Sequence, residues 1–383
     1  MHCASLGEFE QGRPVIESLR KLYPDITIIV SFFSPSGYHI RKNYAGADHI
    51  FYLPMDSAMH ARKWVELIKP TIVLWIKYDY WYYYLRELRV RKIPVLLISP
   101  LFRPDQPFFK WYGNIHRLML DSFYAFFVQN DESKKLLESL DIKQAVFVSG
   151  DTRFDRVIDI AEAFEPVPAI ADFCGDHPVI VAGSTWEEDE EELDHYANTH
   201  PGTRFIIAPH EIDEDHLKDI ESLFKNTIRY SALEKLNAES AKLKEHPPTV
   251  NRQPSTVNQQ PRVLIVDNIG MLARLYFYAD ICYVGGGFGD DGVHNVLEAA
   301  VYGKPVITGP VIEKYIEVME LADAGGVIII DNALEAESVF SRLMNDKEEY
   351  AYHGNAARNY VYARRGATEK IVRYIQENRL LTS

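Results

Sequence analysis

The sequence predicts two successive open α/β domains, each a parallel sheet covered by helices. Short apolar runs alternate with amphipathic helical patterns along the chain. The scheme occurs twice, on either side of a Pro-rich break near the middle. A length of 383 residues also exceeds the usual single domain of about 150.

In chain order, residues 2–5 (HCAS) resemble the end of a strand already entering a turn, so a further N-terminal segment is expected in a fuller relative. Strand-like runs follow at ITIIVSFF (26–33), TIVLWI (71–76), PVLLIS (94–99) and AFFVQ (125–129). Helical patterns lie between them, such as QGRPVIESLRKLY (11–23) and SAMHARKWVELIK (57–69). The second half repeats the scheme with PVIVAGS (178–184), RFIIAP (204–209), RVLIVD (262–267), DICYVGG (280–286) and KPVITG (304–309). The expected division is a first domain at 1–155, a linker at 156–177 and a second domain at 178–360. A terminal helix within 361–383 is placed to return to the first domain. The polar, Pro- and Gln-rich stretch around 236–261 is expected to be a surface loop. Two such domains imply a ligand cleft between the carboxyl ends of their sheets.

Composition narrows the function classes. Hydrophobic residues at 47% and charged residues at 25% suit a globular protein with a sizeable core. A formal charge of −14 excludes wholesale wrapping of nucleic acid. Residues 1–150 hold 19 Lys+Arg against 15 Asp+Glu, so the first part is basic and the remainder strongly acidic. That asymmetry suits an anionic partner for the first half, or simply a solvated acidic surface on the second. Cys3, Cys174 and Cys282 are scattered without CxxC spacing, which argues against a structural zinc or a disulfide framework. No apolar run reaches the roughly 18 residues of a spanning helix.

Five segments are candidates for chemistry. In HCASLGE, Gly7 permits a tight turn and a helix is expected from near Phe9, which places Glu8 at the carboxyl edge of a sheet. A carboxylate there can remove a proton from an acceptor hydroxyl, or can be an ordinary acid at a helix start. The helix dipole is expected to lower its pKa. Gly287, Gly289 and Gly292 satisfy GxGxxG, yet no strand-end acid follows about 20 residues on, so a dinucleotide site is not supported. These glycines can instead admit the backbone to another phosphate or sugar. In His294-Asn295-Val296-Leu297-Glu298, Asn295 is a candidate N-cap, and Glu298 can accept from ribose hydroxyls or complete a capping box. Gly183-Ser184-Thr185 before WEEDEEEL makes a capped helix that can also present Ser184 to an anion. Finally, Tyr78 to Tyr84 and Pro107 to Tyr112 mix aromatics with Arg86, Arg89, Arg91, Lys92 and Lys110, which suits either a core or an anionic membrane surface.

Together these segments resemble the 3-deoxy-D-manno-octulosonic acid (Kdo) transferases over essentially the whole chain. HCASLGE is similar to that family's H-A-x-S-V-G-E, and SFFSPSGY (31–38) to its T-x-T-x-T-G stretch. LPMDS (53–57) resembles Y-L-P-x-D, KYDYW (77–81) resembles E-x-E-L-W, and GDTRFD (150–155) resembles G-N-x-K-F-D. AGSTW is similar to A-G-S-T-H and APH (208–210) to A-P-R-H. DNIGMLARLY (267–276) resembles D-T-x-G-E-L-x-x-x-Y, and GVHNVLEAA (292–300) resembles G-G-H-N-x-L-E-x-A.

The resemblance implies a GT-B fold, two Rossmann-like domains facing each other across a cleft, the first binding the lipid A precursor and the second CMP-Kdo. It implies an inverting transfer that needs neither metal nor cofactor, CMP-Kdo being a substrate. The protein is then expected peripherally at the cytoplasmic face of the inner membrane, without the anchor segment of the family. Nucleic acid is not an expected partner. By matching position Glu8 becomes the base, and Asp79 and Arg153 stabilise the transition state. Donor contacts fall on Ser184, Pro209, His210, Gly270, Met271, Leu272, Asn295, Val296, Leu297 and Glu298. This chain departs from the pattern at four of these places: Asp79 stands for Glu, Arg153 for Lys, His210 for Arg and Met271 for Glu. At Met271 only backbone contacts are then expected. Two other readings stay open: another GT-B enzyme acting on a nucleotide sugar (a UDP-sugar transferase or an epimerase), and a non-catalytic remnant.

Overall fold

A parallel seven-stranded sheet organises each half of the chain in the computed structural model, which describes residues 1–245, 260–290 and 292–381. The first sheet contains β1 (His2–Cys3), β2 (Ile29–Phe32), β3 (His49–Tyr52), β4 (Val73–Ile76), β5 (Val95–Ile98), β6 (Ala125–Val128) and β7 (Ala145–Val148). Its order is β3-β2-β1-β4-β5-β6-β7. The second contains β8 (Val179–Thr185), β9 (Arg204–Pro209), β10 (Thr227–Arg229), β11 (Val263–Ile265), β12 (Ile281–Val284), β13 (Val306–Thr308) and β14 (Val327–Ile329). These run β10-β11-β9-β8-β12-β13-β14. Strand order reverses between β1 and β4 in one sheet and between β8 and β12 in the other. Such switch points are where open α/β sheets bind ligands, outside the carboxyl strand ends.

The chain divides into two compact units, Met1–Arg156 with Arg364–Ser383, and Val157–Ala363. In the first, the helix Leu6–Leu22 buries Phe9, Val15, Ile16 and Leu19 at helical spacing against the sheet. The helix Ala367–Glu377 adds Ile371, Val372 and Ile375 to the same core. Its N-terminus is held by the Asp155 carboxylate, which accepts from the Gly366 and Thr368 amides at 2.6 Å each. A second core on the opposite sheet face gathers Trp75, Tyr84, Leu85, Phe102 and Phe126. In the second unit Ile180, Phe205, Ile265, Tyr283 and Phe340 belong to one buried cluster.

Three expectations change. The helix predicted from near Phe9 begins at Leu6, because the Ser5 hydroxyl caps it by accepting from the Glu8 amide. The stretch around 156–177 is largely helical, with Thr152–Glu162 and Pro168–Cys174. The irregular stretch at 236–261 starts inside the helix Tyr230–Glu245, and its residues 246–259 lie outside the described residues. Among the described residues no helix is long and apolar enough to cross a membrane.

Candidate active site

The first unit places Glu8, His2 and the loop Lys77–Trp81 at the carboxyl ends of β1 and β4. Glu8 lies in the first turn of its helix, and its side chain folds back so that the Ala4 amide donates to Oε2 at 2.5 Å. With Ser5 accepting from the Glu8 amide, the two residues satisfy orphan donors reciprocally, much as a capping box does. Burial nevertheless outweighs this hydrogen bond and raises the carboxyl from 4.5 to about 7, with nearby Asp79 adding to the rise and Lys77 opposing it. The expected lowering by the helix dipole is thereby overturned. A carboxylate poised near neutral pH is well matched to general-base work.

Lys77 turns the chain after β4 with φ 56°, a left-handed conformation uncommon for a side-chain-bearing residue. Asp79 follows, its carboxyl pushed up by burial. Its Oδ2 lies 4.0 Å from His2 Nε2, but burial drives His2 down to about 3, so the imidazole is neutral and no ion pair forms. His2 is oriented instead by Nδ1 against the Ser31 hydroxyl at 3.0 Å and by its ring against Trp75. His2 Nε2 is buried without a hydrogen-bond partner among the described residues, beside the Asp79 carboxyl and the Trp81 indole, whose contact partly offsets the rise at Asp79. Buried polar atoms of this kind ordinarily have partners, so a polar ligand or water fits here.

Arg153 lies just beyond β7, at the start of the helix Thr152–Glu162. Asp151 pairs with it: Arg153 Nε donates to Asp151 Oδ2 at 2.9 Å, and Nη2 lies 2.9 Å from the same oxygen. The aromatic–basic segments divide between core and surface. Phe108 and Tyr84 are buried, whereas Trp111 is 89% exposed and Tyr112, Ile115 and Leu118 are more than half exposed.

In the second unit β8 carries a bulge at Ser184, whose φ is 53°. The Thr185 carbonyl accepts from the His210 amide at 2.9 Å, joining the ends of β8 and β9. The Trp186 ring stacks on His210 with centroids 4.6 Å apart, and His210 stacks on His294 at 4.3 Å. Trp186 Nε1 donates to His294 Nε2 at 2.9 Å. An indole N–H can only donate, so His294 Nε2 is the acceptor and this ring carries no proton there. Buried Asp189 fastens the same turn to β12, accepting from the Trp186 and Gly286 amides and from the Tyr283 hydroxyl at 2.7–3.0 Å.

The predicted donor residues fare differently in this framework. Pro209 ends β9 and is buried, while His210 is exposed beyond it. Gly270 adopts φ 94° and opens onto free space, as a turn glycine must. Met271 is buried at 8% exposure, its sulfur beside Asn268 Nδ2, and Leu272 begins a short helix. Asn295 is not an N-cap. It donates to Glu298 Oε1 at 3.1 Å and accepts from the Leu297 amide, and the helix that follows, Leu297–Ala300, is only four residues long. Val296 and Leu297 are fully buried, so their side chains are withheld from a ligand. Of the glycine motif, Gly287 serves packing: a Cβ there would lie 2.5 Å from the Gly309 amide nitrogen. At Gly289 a Cβ would make only an ordinary contact, 3.9 Å from the Gly286 carbonyl oxygen.

Sequence reasoning missed Gln11, Lys77, Asp151, Trp186, Asp189 and His294 as site residues. Most lie inside quoted motifs, and their adjacency to strand ends is the signal that identifies them.

Residues 1–156 match the family profile described as 3-deoxy-D-manno-octulosonic-acid transferase (kdotransferase). Beyond that region too, the chain is similar to the Kdo transferases. The 3-deoxy-D-manno-octulosonic acid transferase of Haemophilus influenzae is 23% identical over 97% of this chain and 85% of its own length. A bifunctional glycosyltransferase/methyltransferase of Fusobacterium nucleatum is 24% identical over 100% of this chain, which spans 55% of that protein. The solved UDP-GlcNAc 2-epimerase of Neisseria meningitidis superposes with a TM-score of 0.65 at 18% identity, covering 98% of this chain and 99% of that one. The fold of this chain is thus of GT-B type, with two Rossmann-like units.

Proposed function

We propose that this protein transfers Kdo from CMP-Kdo to a lipid A precursor in lipopolysaccharide assembly, with inversion and Glu8 as the base. The observation that carries this reading is Glu8 itself, a half-buried carboxylate raised to about 7 at a switch point between two parallel strands. The homology to Kdo transferases supplies the sugar class. In the proposed step the acceptor hydroxyl oxygen bonds to the anomeric carbon of Kdo while the bond from that carbon to the CMP phosphate oxygen breaks. The hydroxyl proton passes to Glu8, and CMP leaves with the bonding electron pair. Asp79 and Arg153 supply fixed charge beside the reacting groups. Donor contacts are assigned to the loop ends bearing Ser184, His210, Gly270 to Leu272 and Asn295 to Glu298. No metal or cofactor takes part in this scheme.

The exposed Trp111, Tyr112, Ile115 and Leu118, with Lys110 among them, suit the interface of an anionic membrane, where a lipid acceptor is met. We therefore place the protein peripherally on the cytoplasmic face of the inner membrane. The test is incubation with CMP-Kdo and tetra-acylated lipid A precursor, with the product read by mass spectrometry. Wild-type protein should form the Kdo-bearing lipid and Glu8→Ala should form none. Near-full activity in Glu8→Ala removes Glu8 as base. Thermal-shift ranking should place CMP above UDP and GDP, because only a ligand that binds the folded state raises its stability.

A further inference from the structure

We propose that Asp151 is a positioning residue that holds Arg153 and the Glu8-bearing helix in one geometry. The inference rests on the transfer reading above and adds a residue to it.

Asp151 is only 4% exposed and follows Gly150, whose φ of 94° makes the sharp turn after β7. Its carboxylate is the meeting point of two elements. From the loop side it receives the Arg153 amide on Oδ1 and Arg153 Nε on Oδ2, at 2.9 Å each, with Nη2 in ion-pair contact 2.9 Å from Oδ2. From the helix side it receives Gln11 Nε2, 3.2 Å from both oxygens. Gln11 is fully buried and lies three residues beyond Glu8, hence on the same helix face. The neighbouring Thr152 hydroxyl donates to the Gln11 carbonyl at 2.6 Å. Residues 151–153 thus grip Gln11 by its side chain and by its backbone, one helical turn from the base.

A buried carboxylate is unfavourable unless its lone pairs are filled, and here Arg153 and Gln11 between them fill both oxygens. A buried ion pair contributes little net stability against an apolar alternative. What this one does supply is orientation: Nε donates to one carboxylate oxygen and Nη2 lies against the same oxygen, which sets the plane of the Arg153 head group. Asp151 itself is not assigned to the reacting atoms, so its effect on rate passes through Arg153 and through the helix that aims Glu8.

Asp151→Asn keeps the size and one acceptor oxygen but removes the charge and the second acceptor. Gln11→Leu cuts the helix side of the link without touching Arg153, and carries the test if Asp151→Asn does not fold. With CMP-Kdo and lipid A precursor, each variant should lower kcat roughly 10- to 100-fold, with each KM within about twofold, since a misplacement near 1 Å costs about that much. The double variant should be no worse than the poorer single variant, because both cut one link. A lowered Tm with unchanged kcat, or losses that multiply, overturns the proposal. If the wild-type protein transfers no sugar, the functional reading fails, and hydrogen exchange still decides the link. Faster exchange confined to residues 8–13 and 151–156 in Asp151→Asn supports it, and unchanged exchange there refutes it.

Discussion

The Ala4 amide donates to Glu8 Oε2 at 2.5 Å, closing the turn between β1 and the helix it feeds. The same carboxylate therefore caps backbone and, in the proposed transfer, serves as the base. The hydrogen bond favours its ionised form, burial favours the neutral one, and burial prevails.

A titration follows from that balance. If Glu8 must be ionised to act, kcat/KM should rise with pH through a midpoint near the value of about 7 and level off above it. A pH–rate profile checks this, and a flat profile between pH 5 and 8 contradicts it.

Stability should respond in the opposite sense. The folded value of about 7 lies above the ordinary 4.5, so the folded state holds the proton more tightly and stability is lost as pH rises across that window. Glu8→Gln, which cannot ionise, should gain Tm relative to wild type at pH 8 compared with pH 5. Thermal melts at the two values test the sign.

Asp155 makes a separate prediction, about the terminal helix. Its two 2.6 Å bonds to the Gly366 and Thr368 amides are charge-assisted caps. Asp155→Ala should cost about 0.5–2 kcal/mol, the range seen for lost N-caps. Hydrogen exchange should show the loss concentrated in 366–377.

Gly287→Ala should destabilise the second unit. The added carbon would meet the Gly309 nitrogen at 2.5 Å, and backbone on backbone has no rotamer by which to yield. A loss of about 1–3 kcal/mol in denaturant melts is expected from such overpacking.

The surface patch predicts a phenotype without a stability cost. Trp111→Ser, at an 89% exposed position, should weaken binding to vesicles rich in anionic lipid while leaving Tm within about 1 °C. Vesicle co-sedimentation measures the first and calorimetry the second.

Ten of the fourteen strands among the described residues can be read from the sequence, and the four that cannot are β3, β7, β10 and β14, the outer strands of the two sheets. Inner parallel strands are covered on both faces and appear as apolar runs. Edge strands are half-covered: β3 is mostly exposed, and β7 alternates exposed with partly buried residues. Their composition therefore falls toward that of loops.

At the candidate site, sequence alone determined which motifs meet strand ends, because a turn residue after an apolar run is a local signal. Glu8 was legible in that way, whereas Asp79 and Arg153 were legible only through the resemblance to the Kdo transferases. Tertiary structure decided what surrounds each one. Asp151 and Gln11 lie 140 residues apart in sequence, so no local pattern announces their contact. The direction of Glu8's titration depends on how much of the fold covers it, whereas its capping partners are local. Burial and long-range pairing are properties of the packed chain, and they set the chemistry that the motifs only locate.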